Sequence, residues 1–143
     1  MNTVRVHASR DYSIFIGSGL LAQVGSLTAA VKTPCRVMLV ADSNVAPLYA
    51  DRAAAAFAQA GFSVERFVFA AGEASKNMQT LQRLLEALGT AGFTRSDLLA
   101  ALGGGVTGDL TGFAAAVYQR GVDYVQLPTS LLAAVDSSVG GKT

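Results

Sequence analysis

Val4 and Val6, then Tyr12, Ile14 and Ile16, alternate with polar neighbours on either side of a short Arg10-Asp11 connection. A period of two marks half-buried strands, so residues 3–17 are expected to form a β-hairpin. The period then changes. From Gly19 to about Val31 apolar residues recur at helical spacing, and Pro34 closes the segment. Val37, Met38, Leu39 and Val40 follow as an unbroken apolar run, which suits a strand covered on both faces. Asn44–Ala60 is rich in alanine and predicts a helix ended by Gly61, and Phe62–Phe69 carries the aromatic and β-branched residues of another strand.

A polar loop, Gly72–Asn77, leads into a helix marked by Leu81, Leu84, Leu85 and Leu88 and ending near Gly89. Asp97–Leu102 predicts a short buried strand that runs into Gly103-Gly104-Gly105, after which a helix reaches about Tyr118. Tyr124–Leu127 is the last strand, terminated by Pro128, and Thr129–Ala134 reads as helical before a small-residue tail ending at Thr143. Strands alternate with helices almost throughout. The expected fold is therefore α/β, a Rossmann-like, mostly parallel sheet with helices on both faces and an antiparallel N-terminal hairpin. One domain is expected over residues 1–143, since no repeat, linker or low-complexity segment interrupts it.

In such sheets ligands bind beyond the carboxyl ends of the strands. The pattern places Asp42-Ser43-Asn44, Gly72–Lys76, Gly103–Asp109 and Thr129-Ser130 on that edge. Gly103, Gly105 and Gly108 fit G-x-G-x-x-G between a strand and a helix, the setting in which glycines let the backbone approach a pyrophosphate and the helix N-terminus stabilises its charge. A tight turn without a ligand would use the same residues. Asp109, at the end of the motif, would be repelled by phosphate; it suits either a ribose or carboxamide donor or the helix N-terminus itself. Asp42 is placed either to accept the hydroxyls of an adenosine ribose or to cap the next helix. Glu73 and Lys76 suit a ribose acceptor and a phosphate donor, or a solvated pair with Ser75 as the helix cap.

Composition narrows the choice. With 51% hydrophobic and 15% charged residues, 143 residues suffice for a real core. A net charge of +1, with scattered Lys and Arg, argues against nucleic acid or an acidic membrane as partner. No apolar run reaches spanning length and Met1–Arg10 lacks a signal-peptide pattern, so a cytoplasmic location is expected. Cys35, the single cysteine, cannot form an internal disulfide and suits a buried thiol. His7, the single histidine, is assigned to the first strand in a structural role; it has no second histidine for a metal site, and no Ser-His or Cys-His nucleophile pair is expected. The tail Asp136–Thr143 ends in G-K-T, but Asp136 stands where the first glycine of an NTPase phosphate loop belongs, which argues against that activity. Lys142 and Arg120 are candidates for binding an anionic substrate.

Gly103-Gly104-Gly105-Val106-Thr107-Gly108-Asp109-Leu110, Gly112-Phe113-Ala114-Ala115, Tyr118, Arg120-Gly121, Pro128–Ala133 and Val135–Thr143 together resemble the 3-dehydroquinate synthase family. Ile14–Gly17, Gly19-Leu20-Leu21, Asp42–Val45 and Gly72–Lys76 are similar to the same family in the same order, so the resemblance covers nearly the whole chain. The G-G-G-x-x-x-D element is shared with polyol and iron-type alcohol dehydrogenases; the tail D-S-S-V-G-G-K-T is what distinguishes the synthases. The resemblance implies conversion of 3-deoxy-D-arabino-heptulosonate 7-phosphate, a phosphorylated sugar acid, to 3-dehydroquinate and phosphate in the shikimate pathway of aromatic amino acid biosynthesis.

It implies NAD as cofactor. Asp42 and Asn44 would contact the adenosine side, Gly72, Glu73, Lys76 and Asn77 the ribose and phosphate region, and Gly104, Gly105, Val106 and Gly108 the pyrophosphate. Asp109 would face the nicotinamide end, with Thr129 and Ser130 also on the cofactor, while Arg120, Asp136 and Lys142 would touch substrate. The family's divalent metal, zinc or cobalt, is implied to sit on a glutamate and two histidines of a helical C-terminal domain absent from this sequence. The chain is thus expected to be the NAD-binding N-terminal domain, cut within the substrate-binding segment and inactive alone, of an enzyme that forms a homodimer. Alternatives are another NAD-dependent sugar-phosphate cyclase, a glycerol-type dehydrogenase, or a nucleotide-binding module without catalysis.

Overall fold

The computed structural model describes residues 1–139. Strand β1 (Asn2–Val6) pairs antiparallel with β2 (Tyr12–Ile16), with Val4 opposite Ile14, as the alternation requires. A separate four-stranded sheet contains β3 (Arg36–Asp42), β4 (Ser63–Phe69), β5 (Leu98–Gly103) and β6 (Asp123–Pro128), in the order β4-β3-β5-β6 with every pair parallel. Helix α1 (Val24–Ala29) leads from the hairpin into β3, and the strands are then connected by α2 (Asp51–Gln59), α3 (Met78–Thr90) and α4 (Gly105–Val117). The α/β architecture expected from the alternation is the one observed.

The continuous apolar run at β3 is explained by what covers it. Val37, Leu39 and Ala41 face α2, where Ala53, Ala56 and Phe57 share a stripe at helical spacing, whereas Met38 and Val40 face α3 and α4 through Leu81, Leu84, Leu88, Leu110 and Ala114. Strand β5 divides likewise, with Leu98, Ala100 and Leu102 on the first side and Leu99 on the second. Phe57, fully buried, meets Phe62 edge to face with centroids 5.5 Å apart.

Three element boundaries differ from the sequence expectation. The segment after Gly19 is divided into a 3-10 turn, Leu20–Gln23, and α1, rather than forming one helix. The helix expected from Asn44 begins later, because Asp42 turns the chain first and Pro47 lies in the opening π-helical turn Ala46–Ala50. His7 lies just past β1 in the exposed hairpin connection, where Nδ1 sits 3.1 Å from Asp11. Cys35 is half-buried, and burial pushes its thiol pKa up, consistent with an unreactive thiol.

The opposite, amino edge of the sheet is fastened by Asp97. Its carboxylate accepts N–H bonds from Arg36 (3.2 Å) and Thr94 (2.8 Å) and pairs with the Arg36 guanidinium at 3.3 Å; that guanidinium also donates to the Ala91 and Gly92 carbonyls and lies 4.7 Å from the Phe93 ring centroid. Burial alone would raise the Asp97 pKa, but the Thr94 and Arg36 bonds and the Arg36 charge outweigh it and leave the carboxyl below its ordinary value. A lowered folded pKa means that the contribution is complete above the unfolded value, about 4, and is lost as pH falls through the folded value. Asp97→Asn should therefore cost about 2 kcal/mol at pH 7 and progressively less below pH ~4, as read from thermal midpoints across that range.

Candidate functional site

Parallel strands deliver their following loops to one edge, and four loops meet there. After β3, Asp42 Oδ1 accepts the N–H groups of Asn44 and Val45, both at 2.8 Å, leaving Oδ2 without a protein partner among the described residues. The capping role is thus present, and one carboxylate oxygen is still available. Ser43 binds the neighbouring loop: its N–H donates to the Phe69 carbonyl at 2.8 Å and its Oγ accepts from the Ala71 N–H at 2.9 Å. Gly72 then turns with φ 115, a left-handed backbone that favours glycine.

Lys76 reaches from this loop to α4, with Nζ 2.7 Å from Asp109 Oδ2. The hydrogen bond to Asp109 is the main reason that the Lys76 pKa is raised; partial burial opposes it, and the charges of Asp109 and Glu73 add to it. Lys76 is thereby held cationic against a carboxylate 33 residues away in sequence. The cap of α3 is Asn77, whose Oδ1 accepts the Thr80 N–H at 2.9 Å, and not Ser75, whose hydroxyl donates instead to the Ala70 carbonyl. Asn77 uses both ends of its amide, since its Nδ2 also donates to the Ala74 carbonyl at 2.8 Å.

Space is tightest at Gly103, and φ demands glycine nowhere in the turn, since none of Gly103, Gly104, Gly105 and Gly108 has a left-handed backbone. A Cβ on Gly103 would lie 2.5 Å from Thr107 Oγ1; on Gly104, 3.4 Å from Ser130 Oγ; on Gly105, 3.3 Å from Ser137 Oγ; and on Gly108, 3.0 Å from Gln126 Oε1. Helix α4 opens at this turn with no side chain of the described residues capping its first N–H groups, and Gly104, Gly105 and Val106 are half-buried there. Thr129 closes the turn by donating its N–H to the Gly103 carbonyl at 3.0 Å, and Ser130 Oγ accepts from the Ala133 N–H at 3.2 Å.

Asp42, Asn44, Gly72, Glu73, Lys76, Asn77, Gly104, Gly105, Val106, Gly108, Asp109, Thr129 and Ser130 therefore share one edge of the sheet. Asp136 is exposed in the π-helical turn Ala133–Ser137, whose Ser137 lies against Gly105. Arg120 does not join them within one chain. It follows the far end of α4, with φ 62, in a cleft that also contains Arg10, Arg95, Asp123 and Tyr124. Lys142 lies outside the described residues. Among the described residues no group of three His, Cys, Asp or Glu side chains converges as a metal site requires.

The sequence also meets a family model, that of the 3-dehydroquinate synthase N-terminal region, over residues 66–143. The chain belongs to the 3-dehydroquinate synthase family. It is 52% identical to the 3-dehydroquinate synthase of Streptococcus sanguinis over 132 residues, 92% of this chain and 37% of that protein. It is likewise 52% identical to the Rhodospirillum rubrum 3-dehydroquinate synthase over 134 residues, 94% of this chain and 35% of that one. The chain thus spans little more than a third of the length of these synthases.

Among solved structures, 2-deoxy-scyllo-inosose synthase in complex with carbaglucose-6-phosphate, NAD+ and Co2+ is 29% identical at a TM-score of 0.85, covering 95% of this chain and 37% of that one. The 2-epi-5-epi-valiolone synthase of Streptomyces hygroscopicus, with NAD+ and Zn2+ bound, is 31% identical at a TM-score of 0.79, covering 96% of this chain and 38% of that one. Glycerol dehydrogenase of Schizosaccharomyces pombe, 18% identical at a TM-score of 0.63 over 76% of this chain and 25% of that one, shares the fold alone.

Proposed function

We propose that this chain is the NAD-binding domain of a 3-dehydroquinate synthase that converts 3-deoxy-D-arabino-heptulosonate 7-phosphate to 3-dehydroquinate and phosphate in aromatic amino acid biosynthesis. One observation carries the reading: an uncapped helix N-terminus, a free Asp42 oxygen and the Lys76–Asp109 pair meet on one edge of the sheet. These groups fit a dinucleotide. The backbone N–H groups of Gly104, Gly105 and Val106 would receive the pyrophosphate, Asp42 a ribose hydroxyl through Oδ2, and Lys76 a phosphate or ribose oxygen. Thr129 and Ser130 border the same turn. Asp109 lies on α4 beside Lys76, where it fixes the ammonium and is suited to accept from the nicotinamide end.

When bound, NAD supplies transient oxidation of a ring hydroxyl and the return of the hydride. This chain's residues would hold the cofactor, while Asp136 and Lys142 would begin the substrate site. No three candidate metal ligands converge among the described residues, and on this reading a divalent metal would be held by residues outside this chain. The full protein is read as a homodimer in the cytoplasm; no helix among the described residues is long and apolar enough to cross a membrane. A different sugar-phosphate cyclase is the second reading, and it is the weaker because identity is 52% to dehydroquinate synthases against 29–31% to the other two cyclases.

Calorimetry tests the cofactor assignment. The protein should bind NAD in a 1:1 complex, and Lys76→Met and Asp109→Asn should each weaken it by about tenfold, equivalent to one lost charge-assisted bond. Absence of NAD binding by the wild-type protein would refute the assignment.

A further inference from the structure

The loop that carries Glu73 and Lys76 is closed on itself. Within it the Ser75 N–H donates to the Gly72 carbonyl at 3.1 Å, the Lys76 N–H to the Glu73 carbonyl at 3.0 Å and the Asn77 N–H to the Ser75 carbonyl at 2.9 Å. A turn bonded in this way is displaced as one body, and what fixes that body lies just ahead of it. The peptide unit between Ala70 and Ala71 has both of its polar groups taken by serine hydroxyls: its carbonyl accepts from Ser75 Oγ, and its N–H donates to Ser43 Oγ at 2.9 Å. Ser75 belongs to the loop itself. Ser43 belongs to the exit of β3, one residue beyond the Asp42–Phe69 register pair, where its own N–H donates to the Phe69 carbonyl at 2.8 Å. Its hydroxyl thus reaches past the end of the strand ladder and holds the chain that continues from β4.

Among the described residues, two side-chain bonds tie this loop to distant parts of the chain: Ser43 to Ala71 on the β3 side, and Lys76 to Asp109 on α4 at 2.7 Å. A lysine is a point charge on a flexible stem, so the place of its ammonium depends on the place of its backbone. A loop fixed before a ligand arrives also loses less freedom on binding. We propose that Ser43 is a positioning residue for the dinucleotide, its hydroxyl locking the Gly72–Lys76 loop to the end of β3 so that Asp42 and Lys76 meet one ligand at a set spacing. This rests on the NAD reading above and adds to it a residue that touches no cofactor atom. The Ser43 bond is exposed, so it contributes little to global stability and its effect falls on placement.

The test is a double-mutant cycle, with calorimetric titration of NAD into the wild-type chain, Ser43→Ala, Lys76→Met and the double variant, beside an NMR titration of the Lys76 side chain without NAD. Ser43→Ala should weaken NAD about fivefold, the size of one ordinary hydrogen bond, and should cause no further loss once Lys76 is methionine. Without cofactor, the Lys76 pKa that the Asp109 bond raises should fall toward its ordinary value in Ser43→Ala, because the loop no longer holds the ammonium on the carboxylate. Ser43→Thr keeps the hydroxyl and should recover both readouts. A hydroxyl with only a structural role would weaken NAD equally with or without Lys76, and that additive result would overturn the proposal. NAD affinity or a Lys76 pKa in Ser43→Ala equal to wild type would overturn this inference alone; no binding of NAD by the wild type would overturn the NAD reading and the role of Ser43 with it.

Discussion

Replacing Gly25 by alanine should destabilise the protein by about 3 kcal/mol and lower its thermal midpoint by about 10 °C. Helices α1 and α2 touch at this residue: a Cβ would lie 2.0 Å from the Ala56 carbonyl oxygen, 2.7 Å from its carbon and 2.9 Å from the Ala60 Cβ. Backbone cannot rotate aside as a side chain can. The helices would have to separate, opening the layer formed by Val24, Ala53 and Phe57 over β3. Gly89, in α3, is the internal control, because nothing lies within 4 Å of its added Cβ. Gly89→Ala should raise stability by about 0.5–1 kcal/mol through helix propensity. Thermal melts of the two variants should move in opposite directions, and a Gly25→Ala midpoint equal to wild type would contradict the packing described.

Catalysis gives the second large effect. Residues 1–143 by themselves are expected to release no phosphate from 3-deoxy-D-arabino-heptulosonate 7-phosphate, while on the proposed function a protein of the relatives' length should do so with NAD and a divalent metal present. The reason is ligand chemistry. A catalytic metal needs about three protein ligands around an open position, and the described residues bring no three candidates together, with His7 exposed against Asp11 alone. Phosphate release by the chain alone, above the rate without protein, would contradict this division of labour.

Much of the fold was legible because hydrophobic period responds directly to burial. Val37–Val40 lacks alternation because both faces are covered, and Leu81, Leu84 and Leu88 repeat because one helical face is. The edge bearing the candidate site followed from the same pattern, since parallel strands place their next loops together. Side-chain reach was not legible. Lys76–Asp109 spans 33 positions and Gln126 Nε2 donates to the Ser138 carbonyl 12 residues on, neither of which leaves a local spacing in the sequence. Asn77 lost to Ser75 as expected cap because both are good caps two residues apart, and only the loop geometry chooses. Arg120 shows the opposite limit: it sits near the glycine motif in sequence, yet α4 carries the chain to the other edge before reaching it.

The most direct test of the central claim is a titration of the isotopically labelled protein with NAD, followed by backbone amide chemical shifts. Shifts should change at Gly104, Gly105 and Val106, and at residues 42–44, 72–77 and 129–130, while the amides of Arg10, Arg95 and Arg120 stay in place. Saturable changes confined to the arginine cleft, or none at the glycine turn when the cofactor is saturating, would show that the carboxyl edge is not the dinucleotide site.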